Sequence, residues 1–110
     1  MSELSHTVAE KAVLAGLIQH GKDAFIDIDG IVHEGSFTLE ENQIVWGCLK
    51  KLFEDSETVD LPTLYGAAKA INLDSVFMER VPKDYYKRLD SINIELGNVK
   101  HQALNLAKFD

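Results

Sequence analysis

The sequence predicts an all-α protein, a compact bundle of about six short helices. Three observations carry that prediction. Apolar residues recur at helical spacing along most of the chain, and helix-start signals stand in front of several of these runs. Only residues 25–32 could form a strand, and a lone strand cannot satisfy its own edge N–H and C=O groups.

The first element opens on Thr7-Val8-Ala9-Glu10, a hydroxyl followed three residues on by a carboxylate, the pattern of a capping box. Val13, Leu14, Leu17 and Ile18 follow on one helical face and Gly21 closes the run, which predicts a helix over residues 8–20. Thr38-Leu39-Glu40-Glu41 repeats the start signal. Behind it Ile44, Cys48 and Leu52, and beside them Val45, Leu49 and Phe53, lie one turn apart, while Gln43, Lys50, Lys51 and Glu54 take the other side. Asp60 is placed to cap a third helix whose first turn accepts Pro62, because the missing N–H is an orphan there anyway. Its buried stripe is Leu61, Leu64, Tyr65, Ala68 and Ile71. Pro82 separates a short helix over residues 74–80 from another over residues 83–91. A last helix carries Leu96, Val99, Ala103 and Leu106 and is expected to continue to the end of the sequence. The expected core is Val13, Leu14, Leu17, Phe37, Val45, Leu49, Leu52, Leu61 and Leu64.

Composition narrows the function. A chain of 110 residues suits one domain with a modest core. Eighteen acidic against eleven basic side chains leave a net charge of -7, a poor match to phosphate backbones, so this domain alone is not expected to bind nucleic acid. No apolar run is long enough to span a bilayer, and MSELSHTVAEK lacks the features of a signal peptide. The single cysteine, Cys48, allows no internal disulfide and fits a reducing compartment; the expected location is cytoplasmic.

One stretch suggests catalysis. FIDIDGIVHEG, residues 25–35, has the Asp-x-Asp-Gly order of the haloacid dehalogenase phosphatases, in which one aspartate attacks phosphate. That chemistry needs a parallel sheet and later magnesium-binding acids, and the chain offers neither. We therefore expect Phe25, Ile28, Ile31 and Val32 to face the core from a short helix and turn, with Asp27 and Asp29 in solvent. The stretch also fails as a calcium loop, lacking a third acid before the glycine and a glutamate at the twelfth position. His6, His20, His33 and His101 do not pair with one another or with Cys48 at a metal-ligand spacing, so no metal is expected. Cys48 reads as a small core residue, and Trp46, beside the stripe, as core in preference to partner surface. No Walker A and no G-x-S-x-G is present. We predict no catalytic residue and no cofactor in this chain.

The order of the segments resembles the N-terminal domain of DnaB-type replicative helicases. AEKAVLAGLI (residues 9–18) is similar to that family's A-E-x-x-V-L-G-x-[IL]-[IL] helix. AFIDIDGIVHEGSFT follows its AF–apolar–DF segment, and IVWGCLKKLFE its I-F-x-x-[IL]-x-x-L helix. VDLPTL (residues 59–64) matches the signature [IV]-D-x-x-T-[LV]. Tyr85, Tyr86 and Leu89 resemble the A-Y-L-x-x-L helix, and Asn98-Val99 the N-[IV] that opens the next. The resemblance covers nearly the whole chain. Departures are Ala15-Gly16 at the first glycine position, VFMERVP in place of paired glycines, and Ile94 at a usual proline.

The resemblance implies a non-catalytic collar domain over residues 1–93, with residues 94–110 opening a helical hairpin. A RecA-like ATPase using ATP and magnesium is implied downstream. In that family six copies form the collar of a ring, collar domains pair, the layer recruits primase, and DNA is held by the ring rather than by this domain. The implied setting is a bacterial or phage-infected cell. On this reading Leu96, Val99, Ala103, Leu106 and Phe109 form a half-covered stripe offered to a neighbour; the alternative is that this helix folds back onto its own domain and leaves a monomer. The alternative is a stand-alone viral adaptor that binds a helicase or primase; a small phosphatase is the remote one.

Overall fold

The computed structural model describes the backbone of residues 2–81 and 83–107, and the side chains of residues 7–81 and 84–107. Among the described residues there are seven α-helices: α1 (Ser2–His20), α2 (Lys22–Ile28), α3 (Glu40–Glu54), α4 (Leu61–Ala70), α5 (Asp74–Arg80), α6 (Lys83–Ser91) and α7 (Leu96–Ala107). A 3-10 turn, Glu34–Ser36, precedes α3. Described residues form no strand, only an isolated bridge between Asp29 and Val32. The all-α expectation holds.

Helix α1 is the axis of the bundle. Every residue from Ala12 to Leu17 is buried, so the helix is covered on all sides rather than along one stripe. Helices α2, α3, α6 and α7 pack around it. It begins at Ser2, well before the expected start, and Thr7 lies inside it. The Thr7–Glu10 pair is therefore not its cap, and Glu10 is used elsewhere.

Helix α3 is amphipathic as expected, burying Ile44, Val45, Trp46, Cys48, Leu49, Leu52 and Phe53. Its start differs by a residue or two: Leu39, not Thr38, is the N-cap, and it makes no side-chain capping bond. Helices α3 and α4 both end on a non-glycine residue in the left-handed region, Ser56 (φ 57°) and Asn72 (φ 62°). The chain then closes back through Glu57 N–H to the Leu52 carbonyl at 2.9 Å and Leu73 N–H to the Ala68 carbonyl at 2.7 Å. The stripe of α4 is narrower than predicted. Leu64, Ala67 and Ala68 are buried, Leu61 and Ile71 only partly, and Tyr65 is exposed. Of the nine expected core residues, eight are buried and Leu61 is the partial one, because it sits in the first turn of its helix.

Helices α5 and α6 fall where the sequence placed them. Pro82, expected to separate them, lies outside the described residues.

Helix α7 lies along α1 and also touches α2. Val99, Ala103 and Leu106 are completely buried there, so the core continues across the boundary expected near residue 94. The close approach depends on Gly16. A Cβ at that position would overlap both methyl groups of Val99 and come within 3.2 Å of its Cβ. Valine in a helix is nearly confined to one χ1 rotamer and cannot turn aside.

Helix propensity alone favours Gly16→Ala by about 0.5–1 kcal/mol. The overlap with Val99 should reverse that sign and destabilise the chain by about 1–3 kcal/mol, read from urea unfolding. Val99→Ala in the same chain should restore much of the loss; a stabilising Gly16→Ala would show that α7 does not pack this closely.

Candidate functional site

Glu10, buried without any exposed surface, is surrounded by donors. Its carboxylate accepts from the Thr38 N–H at 3.0 Å and the Thr38 hydroxyl. It also accepts from the Leu39 N–H at 3.4 Å and Asn42 Nδ2 at 2.9 Å. Asn42 in turn accepts through Oδ1 from the Tyr85 hydroxyl. Burial pushes the Tyr85 phenol well above its usual range, nearby Glu41 and Glu10 push it the same way, and the Asn42 bond opposes them. The phenol therefore stays protonated and donates.

This network ties down the segment that leads into α3. The donors just ahead of the helix are satisfied by a carboxylate from α1 instead of by a local side chain. It joins α1, α3 and α6 through one buried charge. The sequence reading took Glu10 for a local cap and missed Asn42 and Tyr85. Two signals were available. Glu10 falls three, four and seven residues before Val13, Leu14 and Leu17, on their buried face, and Asn42 falls three and seven residues before Val45 and Leu49 on the buried stripe.

The end of α1 holds the α6–α7 connection. Gln19 Nε2 donates to the Asp90 carbonyl at 3.1 Å and to that of Ile92. A His20 ring nitrogen lies 2.6 Å from the Ile94 carbonyl. A cleft of about 370 Å³ opens beside this end of α1, floored by Ile18, Phe53 and Val59.

The predicted interface stripe is not half covered. Val99, Ala103 and Leu106 are fully buried against this chain's own helices and Leu96 is partly buried; Phe109 lies outside the described residues. Within the chain α7 folds back onto its own domain, and Gly16 gives it the room to sink onto α1. The exposed large apolar side chain of α7 is Leu104.

Around the Asp-x-Asp-Gly stretch, Ile28 and Val32 are buried and Phe25 and Ile31 partly so, while Asp27 and Asp29 are exposed. Phe25 stacks on Phe53 at 4.8 Å and meets Trp46 at 6.1 Å, which fixes α2 on α3. The two aspartates stand at the end of a seven-residue helix and its C-cap, with no sheet behind them. His33 accepts from the Gly35 N–H at 3.0 Å and His101 is exposed; the His6 side chain lies outside the described residues. Among the described residues no three or more His, Cys, Asp or Glu side chains gather as metal ligands. No helix among them is long and apolar enough to cross a membrane.

The Asp-x-x-Thr of VDLPTL is a capping box. Asp60 accepts from the Thr63 N–H at 2.8 Å, the Thr63 hydroxyl accepts from the Asp60 N–H at 2.9 Å, and that hydroxyl also reaches the Thr58 carbonyl at 2.8 Å. The model of the DnaB-like helicase N-terminal domain matches residues 2–103. The chain belongs to that family. Comparison with curated proteins and with solved structures gave no match. Membership places the chain with the non-catalytic N-terminal part of replicative helicases, in the context of DNA replication. The DnaB-like motifs Ala9-Glu10, Asp60-x-x-Thr63 and Tyr85 all fall on buried bonds or caps, so they record the architecture of the domain.

Glu10→Gln keeps the shape but turns an NH2 group toward donors. It should destabilise the chain by about 1–3 kcal/mol in urea unfolding, and a loss below about 0.5 kcal/mol would show the network is not needed. Burial pushes the Cys48 thiol from its ordinary 9.0 up to about 12. Iodoacetamide at pH 8 should label it more than about a hundredfold more slowly in the folded chain than in urea. Stability carried by the neutral thiol is present below pH 9.0 and is lost as pH rises from there toward 12. Equal labelling rates in the two states would contradict the burial.

Proposed function

We propose that this chain is the N-terminal domain of a replicative DNA helicase that assembles the collar of the hexamer and docks the primase. The observation that supports this reading is the family match over residues 2–103, which runs through α1 to α6 and into α7. On this reading the domain does no chemistry. ATP and magnesium are bound by a RecA-like motor downstream of Asp110, and DNA is gripped by the ring. The work of this domain is to present a rigid surface, in a bacterial or phage-infected cell.

The buried face of α7 is already covered, so a neighbouring collar domain would meet its outward residues, Leu104 with Lys100 and His101. Other exposed apolar side chains that a partner could cover are Ile26 on α2 and Met78 on α5, 63% and 65% exposed.

One observation favours a second reading. Because α7 buries Val99, Ala103 and Leu106 within the chain, the domain needs no hairpin partner to complete its core. A free-standing adaptor that captures a helicase or primase would have the same property.

Sequencing the gene past Asp110 separates the two. The helicase reading expects a Walker A motif and a RecA-like pattern; a stop codon directly after Asp110 would sink it and leave the adaptor. In the helicase case, removing residues 1–110 should abolish stimulation by primase while ATP hydrolysis persists, and unchanged stimulation would contradict the docking role.

A further inference from the structure

Between the 3-10 turn, the start of α3 and the flank of α5 lies a groove of about 230 Å³. Its floor is apolar: Ile44 is buried, and Leu73 and Val76 are half-buried. Glu34, Glu40 and Gln43 form the rim. An apolar side chain set on this floor removes aliphatic carbon from water, which is favourable.

The charge on the rim is one-sided. Arg80 lies across it, its Nε 3.0 Å from Glu40 and 3.4 Å from Glu79. Glu40 and Glu79 thus share one guanidinium, and Glu34, the other carboxylate of the rim, makes no ion pair among the described residues. The Arg80–Glu40 pair is about half exposed on both sides, and an ion pair in that setting contributes little to stability and exchanges readily. Arg80 occupies the position that a cation from outside would take.

The carboxylates on the rim repel an acidic occupant and favour one that brings a cation of its own. Nucleic acid is excluded by the same sign. We propose that the groove docks a segment of a partner protein that sets an aliphatic side chain on Ile44, Leu73 and Val76. The same segment brings an adjacent Lys or Arg to Glu34 and Glu40, displacing Arg80. This inference does not rest on the helicase reading, since a free-standing adaptor keeps the same groove.

The test is an NMR titration of the 110-residue chain with a synthetic twelve-residue amphipathic peptide built only of Leu and Lys. Two control peptides accompany it, one with every Lys replaced by Glu and one with every Leu replaced by Gly. The proposal expects shifts concentrated on Gly35, Ile44, Leu73, Val76 and Arg80 with the Leu–Lys peptide. It expects none with the glutamate peptide, and binding about tenfold weaker or less with the glycine peptide, the share of an aliphatic side chain leaving water. Glu34→Lys should weaken the Leu–Lys peptide by about threefold or more, and Arg80→Ala, which removes the internal competitor, should tighten it by about threefold. Any of four results overturns the proposal: no binding of the Leu–Lys peptide, equal binding of the glycine peptide, shifts spread over the acidic surface, or an Arg80→Ala chain that binds no better.

Discussion

A carboxylate buried at the centre of a helical bundle must be surrounded by donors or it is ruinous to stability, and Glu10 is surrounded. The rest of the fold is arranged about that requirement. Helix α1 can be the axis because its charged residue has partners on another element. The segment entering helix α3 is held because Glu10 meets the N–H donors at residues 38 and 39, just ahead of its first turn. Asn42 then faces inward on a stripe that is otherwise apolar, and Tyr85 brings α6 against it. Three helices far apart in sequence share one polar contact whose geometry tolerates few alternatives, whereas the apolar contacts around it tolerate many.

The same division separates architecture from function. The DnaB-like motifs lie on the Glu10 network, on the Asp60–Thr63 cap and on the buried face of α6. They specify how the helices start and meet. The outward faces carry no such motif; there Ile26, Met78 and Leu104 stand exposed and the acidic rim of the α5 groove lies. A domain that works by presenting a surface gains from a core held by directional bonds, because its outer residues can then change without altering how the helices are set.

Much of the fold was legible in the sequence because its signals are local. Asp60 with Thr63, the apolar periodicity of residues 44–53, and the limits of α5 and α6 each depend on residues within a turn or two. The FIDIDG stretch was resolved the same way: Phe25 and Ile28 pack against the core and its aspartates do not, while Ile26 stands exposed. What the sequence concealed was long-range. Glu10 looks like a local cap until the fold brings residues 38–42 against it, 28 to 32 positions away. The covered stripe of α7 depends on the missing side chain at Gly16, more than eighty residues from Val99, and nothing in α7 itself announces it. Outward residues such as Glu34 and Arg80 carry no periodicity, so a groove between three elements cannot be seen before they are folded together.

The central claim is that one polar network couples α1, α3 and α6, and a double-mutant cycle tests it most directly. Glu10→Gln, Tyr85→Phe and the double variant would be compared with the parent by urea unfolding at fixed pH. Residues that belong to one network are expected to be non-additive, with a coupling of about 0.5–3 kcal/mol transmitted through Asn42. Additivity within about 0.3 kcal/mol would mean that Glu10 and Tyr85 act separately, and the account of how this bundle is held together would be wrong.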